Sequence, residues 1–383
     1  MAKIARVPIT NVYADGDYTG CLLVGPKHKP MNLLLDSGSS TLALNRDRYR
    51  PHLEKGGDKT TNLVQAAQYG DGSGFTGAVI ETTVRAGIGR STITVRGANA
   101  AMAYHQTSDM FGKCDGILGL AYAGLDDAYA MPKDTWHTRY RRDQFYKKKL
   151  REYIPPYLTQ MAQQGVVSDR FAFYTQRSFI HLGGGVAKDP LNQGWLILGG
   201  GEECKDLYTG RFQTARVMSE DYYDTNLTTV IVGKTDPIVV TQKLGKNAEA
   251  NSIVDSGTQT LDIAPHLLRA VLSKFPHALK EQLSIAIYEN RLVHAGDLNL
   301  DIWPDITFIL EGETKPVKIT VSPRDYWQVN AQHVGQAVAA ITKGDPGQTI
   351  LGLPAMNGYF TLFDGEAAGG LGTIKFAPSK RPG

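Results

Sequence analysis

Residues 33–39 read Leu33-Leu34-Leu35-Asp36-Ser37-Gly38-Ser39, an apolar run that ends in an acid, a hydroxyl and a glycine. The pattern returns in the second half of the chain as Ser252-Ile253-Val254-Asp255-Ser256-Gly257-Thr258. A further element follows each copy, first as Ile117-Leu118-Gly119-Leu120 and then as Ile350-Leu351-Gly352-Leu353. Two elements repeated in one order indicate two structurally related lobes.

We therefore predict an N-terminal lobe at residues 1–185 and a C-terminal lobe at residues 186–383, each with one copy of the repeat. The rest of the sequence predicts an all-β fold, because short alternating or apolar runs rich in Val, Ile, Thr and Tyr are separated by glycines, 41 in all. Strands are predicted at Tyr18–Val24, Met31–Leu35, Ala78–Val84, Ser91–Val95, Trp195–Leu198, Thr228–Val232, Ile306–Leu310 and Tyr359–Phe363.

Helix patterns are fewer than strand patterns. They predict helices at Asp143–Tyr153, Pro156–Gln164, Pro265–Ser273 and Ala331–Ile341. Many strands with few helices are typical of a mainly β body built from barrels or packed sheets.

Composition limits the class of protein. The 383 residues are 42% hydrophobic and 21% charged, which supports a folded core of ample size. A formal net charge of +3 is too small to indicate a nucleic-acid or membrane partner. There is no run of roughly 18 apolar residues and no apolar leader, and the three cysteines lack paired spacings. We expect a monomer in a reducing compartment, the cytoplasm, and no export.

The repeated acid carries the chemistry. A buried strand that ends in Asp-Ser-Gly places a carboxyl where burial governs its protonation, and Gly38 or Gly257 lets the backbone turn there. If the two lobes bring Asp36 and Asp255 together, the pair cannot ionise fully and shares one proton. The ionised member can then deprotonate a water while the other donates to a carbonyl, without a nucleophile, metal or cofactor.

Hydroxyls next to each acid fit this scheme. Ser39 and Thr258 can bond to the outer carboxylate oxygens, while Ser37 and Ser256 can reach across to the opposite loop. An ordinary Asx turn is the alternative for either motif taken alone. The paired occurrence, each copy followed by Ile-Leu-Gly, favours the carboxylate pair.

A glycine-rich segment at residues 68–77 predicts a mobile hairpin tip between two strands. Residues 72–79 also spell G-x-G-x-x-G-x-V, but no helix follows and no kinase motif completes the pattern. A lid over a cleft is the better interpretation. Tyr69 could close on a substrate, and the backbone of Gly70 and Gly72 could pair with an extended peptide.

These motifs together resemble the pepsin family of aspartic peptidases over almost the full length, most of all bacterial homologues without signal peptide or prosegment. The shared-proton pair is the established chemistry of that family and is carried over here. The resemblance implies that Tyr69 is the flap tyrosine and that Asp71 bonds to the substrate backbone. It rests on Val7–Asn11, Tyr18–Gly20, Asp36–Ser40, Tyr69–Ser73, Asp115–Tyr122, Ile253–Thr258 and the weaker Leu198–Gly200, Trp303–Phe308 and Phe360–Asp364.

The resemblance implies an aspartic endopeptidase with two β-rich lobes and a deep cleft for an extended peptide or protein substrate. It also implies cleavage between bulky apolar residues and inhibition by a statine-type compound such as pepstatin. Leu34, Tyr69, Phe111 and Ile117 are candidate pocket walls, although core packing explains all but Tyr69 equally well.

The chain departs from the family pattern at several points. Ala43 stands where many members have a tryptophan that anchors the flap tyrosine, Leu353 replaces a common acid, and the family's disulfides have no counterpart. Residues 126–152 resemble an insertion with a basic stretch. The alternative function is a catalytically silent pepsin-like protein that binds or inhibits another protein.

Overall fold

The computed structural model describes residues 3–14, 16–53, 58–70, 72–107, 110–130, 152–241 and 250–381. The chain is mainly β with few helices and two lobes, which confirms the predicted fold class. No helix in these ranges is long and apolar enough to cross a bilayer.

The strands up to residue 216 carry the first repeat. They are β1 (Ala5–Ala14), β2 (Asp17–Val24), β3 (Lys29–Asp36), β4 (Leu42–Asn45), β5 (Lys59–Gln68), β6 (Gly74–Ala86), β7 (Ile93–Thr107), β8 (Gly116–Gly119), β9 (Asp127–Ala130), β10 (Glu152–Tyr153), β11 (Arg170–Tyr174), β12 (Gln193–Leu198) and β13 (Gln213–Arg216).

The later strands carry the second repeat. They are β14 (Asp224–Thr225), β15 (Leu227–Val232), β16 (Ile238–Val239), β17 (Ser252–Val254), β18 (Leu261–Ile263), β19 (Val293–His294), β20 (Ile306–Leu310), β21 (Val317–Val321), β22 (Trp327–Val329), β23 (Gln336–Ala339), β24 (Ile341–Lys343), β25 (Thr349–Leu351), β26 (Tyr359–Asp364) and β27 (Thr373–Pro378).

A 15-stranded sheet links the two halves of the chain, in the order β10-β9-β5-β6-β7-β4-β8-β3-β2-β1-β12-β11-β26-β27-β13. Three smaller sheets complete the second half: β14-β17-β25-β18-β24, β16-β15-β20-β21 and β19-β23-β22. The predicted lobe boundary at residues 185 and 186 falls between β11 and β12, which pair with each other. The exact division of the lobes stays a prediction.

The two repeated sequence elements pair with each other in space. In the first half β3 runs parallel to β8, with Asp36 opposite Gly119. In the second half β17 runs parallel to β25, with Val254 opposite Leu351. A third strand, β4 or β18, lies antiparallel on the other side of the Ile-Leu-Gly strand. Each acid therefore leaves the end of a strand that is held in the same three-stranded arrangement.

The glycine of each Ile-Leu-Gly element is required by close packing. A Cβ on Gly119 would lie 2.4 Å from the backbone carbon of Ser40, and a Cβ on Gly352 would lie 2.3 Å from the carbonyl oxygens of Thr258 and Thr260. Both contacts are with backbone just beyond an acid, which cannot move away as a flexible side chain could. These glycines thus allow the loops that bear the two acids to approach the neighbouring strand.

Gly352→Ala should destabilise the protein by about 1–3 kcal/mol, because the new methyl group overpacks a site made of backbone. The measurement is the free energy of unfolding in urea. Gly347→Ala is the matched control, since a Cβ there meets no atom within 4 Å. Equal stability of the two variants would contradict the close approach.

The α-helices differ from the sequence predictions at several places. The observed helices are α1 (Tyr157–Gln163), α2 (Pro265–Ser273), α3 (His277–Tyr288), α4 (Pro323–Tyr326) and α5 (Leu353–Met356). The prediction at Pro265–Ser273 is confirmed, and that at Pro156–Gln164 is confirmed within one residue at each end. Most of the predicted helix Asp143–Tyr153 lies outside the described residues, but its last two residues form β10.

The predicted helix Ala331–Ile341 is wrong, because this segment forms a turn and two strands. Gln332 and Gly335 have positive φ angles of 60° and 79°, which end any helical path. Residues 336–339 then form β23 and pair antiparallel with β22. Helices α3, α4 and α5 were not predicted.

Candidate active site

The two acids of the repeat lie together at the ends of β3 and β17. Asp36 and Asp255 are buried, with exposed fractions of 7% and 9%, and their carboxyl groups are within hydrogen-bonding reach of each other. We call this pair the dyad. Residues far apart in the chain thus form one acidic centre.

Each carboxyl accepts hydrogen bonds from its own pair of donors, a glycine N–H and a hydroxyl at equivalent positions of the two loops. Oδ1 of Asp36 accepts the Gly38 backbone N–H at 2.8 Å, and Oδ2 accepts the Ser39 hydroxyl at 2.5 Å. Oδ1 of Asp255 accepts the Gly257 N–H at 2.9 Å, and Oδ2 accepts the Thr258 hydroxyl at 2.6 Å. These matched bonds fix the orientation of both carboxyl planes.

The middle serines lock the two loops to each other. The Ser37 hydroxyl accepts the Ser256 N–H at 2.9 Å and donates to the Val254 carbonyl at 3.3 Å. The Ser256 hydroxyl accepts the Ser37 N–H at 3.0 Å and donates to the Leu35 carbonyl at 3.0 Å. Because all of these groups are buried, loss of one hydroxyl would leave a backbone N–H without its partner. The crossed bonds set the spacing of the dyad.

The glycines of the two loops allow this spacing. A Cβ on Gly38 would lie 2.8 Å from Oδ1 of Asp255, and a Cβ on Gly257 would lie 2.5 Å from Oδ1 of Asp36. Any larger residue would push the opposite carboxyl away.

Burial raises the pKa of both acids. For Asp36, desolvation is the main cause and the negative charge of Asp255 adds to it, against the hydrogen bonds from Ser39 and Gly38. For Asp255, desolvation again raises the pKa, while the bonds from Thr258 and Gly257 oppose the rise. The dyad therefore retains a proton at pH values where an ordinary aspartate is ionised.

A cleft of about 760 Å³ opens over the dyad. Among the predicted substrate-binding residues, Leu34, Tyr69, Gly70 and Ile117 line it. Phe111 instead packs behind the wall, in a cluster with Ile117. Asp71 lies outside the described residues, and Gly72 stands at the hairpin tip, where a Cβ would meet nothing within 4 Å.

The cleft also contains residues that sequence reasoning did not find. Five of its lining side chains are aspartates, dyad included, and no Lys, Arg or His appears among the described residues that line it. Within the same ranges, no three His, Cys, Asp or Glu side chains are grouped to hold a metal ion. The lining residues not predicted are Asp17, Ser73, Met110, Tyr222, Ile253, Gln259, Thr260, Asp262, Asp345, Gln348 and Ile350.

A β-hairpin formed by β5 and β6 borders the cleft, and we call it the flap. Its tip is closed by a hydrogen bond from the Tyr69 N–H to the Ser73 carbonyl at 2.9 Å. Tyr69 packs, partly buried, against the cluster that contains Ala43 and Phe111. Ala43, one of the departures from the family pattern, pairs with Ile117 across β4 and β8.

Two lobes with repeated Asp-Ser-Gly loops, crossed serines, a buried acid pair and a hairpin beside the cleft are the features of the pepsin-like aspartic protease family. The family model for eukaryotic aspartyl protease matches residues 17–378. The chain belongs to this family, and the resemblance seen in the sequence is confirmed.

Individual relatives match over most of the chain at low identity. Pepsin-2B of Gadus morhua is 25% identical over 379 residues, covering 92% of this chain and 94% of that protein. Chymosin of Camelus dromedarius is 23% identical, covering 95% and 82%. Gastricsin of Mus musculus is 24% identical, covering 92% and 79%. Membership supports aspartic protease activity on peptides, and inhibition by pepstatin, at the level of the family.

Proposed function

We propose that this protein is an active aspartic endopeptidase that cleaves peptide bonds through Asp36 and Asp255. The observation that carries the proposal is the dyad itself: two buried acids within reach of each other, each with its hydroxyl and backbone donors in place. A silent binding protein would not need both acids, and both are present with matched surroundings.

The chemistry follows from the shared proton. The ionised carboxyl takes a proton from a water held between the two acids, and the protonated carboxyl donates to the carbonyl oxygen of the scissile bond. The water oxygen bonds to the carbonyl carbon and gives a tetrahedral intermediate. Return of a proton to the amide nitrogen then lets the C–N bond break. Ser39 and Thr258 keep the carboxyl planes fixed throughout.

The cleft favours an extended peptide with apolar residues at the cut. Leu34, Ile117 and Tyr69 supply apolar wall next to the dyad, and the flap edge offers backbone groups to a peptide strand. Asp262 and Asp345 also line the cleft and make it acidic. Opposite charge raises the local concentration of a ligand, so we expect basic residues to be favoured at positions away from the cut.

Cleavage of a peptide library from about pH 3 to about pH 7, with and without pepstatin, tests the proposal. We expect cuts between apolar residues, faster at acidic pH and blocked by pepstatin. Paired peptides with Lys or Glu away from the cut test the acidic wall in the same assay. Pepstatin binding without cleavage at any pH would favour the silent binding protein.

We also propose that the enzyme acts as a monomer in the cytoplasm. The support is cysteine chemistry: no disulfide joins Cys21, Cys114 and Cys204, and Cys21 is exposed. Cysteines without disulfides suit a reducing compartment. One chain also supplies both acids, so the dyad is complete without a second copy.

A further inference from the structure

A buried acid outside the dyad connects the flap to the loop that follows Asp36. Oδ1 of Asp126 accepts the Thr41 hydroxyl at 2.5 Å and the Gln65 side-chain amide at 2.5 Å. All three side chains are buried, with exposed fractions of 2% for Asp126, 4% for Thr41 and 2% for Gln65. One oxygen atom therefore joins two segments that are distant in the sequence.

The first of the two segments is the loop that begins with Asp36, and Thr41 at its end makes the contact with Asp126. This catalytic loop, residues 36–41, is fixed against β8: the Leu120 N–H donates to the Asp36 carbonyl at 2.8 Å, and the Gly119 N–H donates to the Thr41 carbonyl at 3.0 Å. Movement of Thr41 is thus transmitted directly to the backbone that carries the acid.

Gln65 is the second contact point, on β5 and just before the flap tip. It pairs with Gly77 on the other flap strand and with Ala128 on β9. The flap strands stay paired from Gln65 to Gln68, the residue before Tyr69. The position of Gln65 therefore influences the direction in which Tyr69 leaves the sheet.

Asp126 has its own anchors, separate from both segments. Its N–H donates to the Ala123 carbonyl at 2.9 Å, and its carbonyl accepts the Ile154 N–H at 3.0 Å. Burial raises the pKa of Asp126 to about 7, while the bonds from Thr41 and Gln65 lower it and the charge of Asp127 raises it further. An oxygen of either the ionised or the neutral acid accepts hydrogen bonds, so the connection does not depend on charge.

We propose that Asp126 is a positioning residue that sets the flap relative to the dyad by holding Thr41 and Gln65 on one oxygen. The inference rests on the proposed endopeptidase function. It assigns Asp126 no contact with the substrate. Its effect on the reaction passes through the catalytic loop and the flap.

The test uses variants that remove one bond at a time. Gln65→Met and Thr41→Val keep the approximate shape of the side chain and lose the donor, and Asp126→Ala removes the acceptor. Each should lower kcat/KM by roughly 10-fold to 100-fold, since small misplacements of catalytic groups cost about that much. Asp126→Asn keeps a carbonyl oxygen and should recover most of the activity. Gln65→Met should add little to Asp126→Ala, because the bond is already lost.

Asp325→Ala is the matched control. Asp325 is an equally buried acid, with an exposed fraction of 3%, that accepts the Ser322 hydroxyl at 2.6 Å and an Arg381 N–H at 2.5 Å. We expect it to lower the melting temperature and leave kcat/KM unchanged. A loss of kcat/KM equal to that of Asp126→Ala would show a general effect of instability and overturn the inference.

Hydrogen exchange of residues 62–70 separates this inference from the proposed function, because it needs no cleavage. Gln65→Met and Asp126→Ala should speed exchange there by about 10-fold in the folded protein, and Asp325→Ala should not. Unchanged exchange in both variants would overturn the positioning role. If the wild-type protein cleaves no peptide, the endopeptidase proposal fails, and the exchange experiment still decides whether Asp126 holds the flap.

Discussion

Asp36→Asn and Asp255→Asn should each lower the rate of peptide cleavage by roughly 10,000-fold, near the upper range of general acid and base catalysis. In the assay range of about pH 3 to about pH 7, an amide cannot hold the shared proton or take one from water. Whichever acid is replaced, one half of the proton exchange is lost. Similar losses from both variants, and no further loss in the double variant, are expected of groups that act as a unit.

The fold should survive these substitutions. Asn keeps the size of Asp and an oxygen that can accept the Gly38 or Gly257 N–H, and it removes a negative charge from a buried pair. Circular dichroism and a retained melting temperature check this point. Undiminished cleavage by either folded variant would exclude the mechanism.

Asp224→Asn is the matched control for the dyad variants. Asp224 lies on β14, next to the strand that leads to Asp255. It is buried, it accepts a hydrogen bond from the Ser219 hydroxyl, and burial raises its pKa. It is a buried acid like those of the dyad, but among the described residues its carboxyl bonds to a hydroxyl and not to a second carboxyl. Asp224→Asn should therefore still cleave peptides. If it did not, the loss of cleavage in the dyad variants could be explained by removal of any buried acid in this region.

The sequence predicted the centre of the site because duplication marks it twice. An acid at the end of an apolar strand is ambiguous alone, but two copies in the same order imply that the strands are equivalent. In the folded protein each Ile-Leu-Gly strand lies parallel to its acid-bearing strand. That pairing joins residues separated by a long crossover, so no local pattern could reveal it.

The acidic wall of the cleft was missed for a different reason. Asp262 and Asp345 come from separate segments, one on β18 and one just after β24, and they meet because these strands are parallel neighbours. Neither residue stands in a motif. A strand pairing had to be known before their common position could be predicted.

The errors in the helix predictions have local causes. Residues 331–341 are rich in Ala, Val and Gln, which favoured a helix, but Gly335 and the left-handed Gln332 turn the chain instead. Helix α3 did carry a usable signal, since Leu279, Leu283 and Ala286 recur on one face and are buried. The turn at Gln332 and Gly335 explains the first error, and an overlooked period explains the second.

The stability of the folded protein should fall as pH rises from about 4 to about 8, and Asp255→Asn should remove part of this fall. Burial raises the pKa of Asp36 and Asp255 above the ordinary value of about 3.9 that each has in the unfolded chain. Between these values the folded state binds more protons than the unfolded state. The stabilisation is complete below the ordinary value and is lost as pH rises through the raised one.

Each unit of difference in pKa contributes about 1.4 kcal/mol to this loss. Asp126, whose pKa burial raises to about 7, acts in the same direction and remains in the variant. The slope of unfolding free energy against pH should therefore become smaller in Asp255→Asn without reaching zero. Urea unfolding at several pH values measures it.

Asp206→Asn serves as the control of opposite sign. A hydrogen bond from Arg6 lowers the pKa of Asp206, so its contribution is present above the ordinary value and is lost as pH falls through the lowered one. This variant should change the acidic end of the curve and leave the fall in stability from about pH 5 to about pH 8 unaltered. A curve for Asp255→Asn that runs parallel to the wild type would mean that the dyad holds no extra proton. Because the same proton is the one donated to the scissile carbonyl, that result would remove the acid from the proposed mechanism as well.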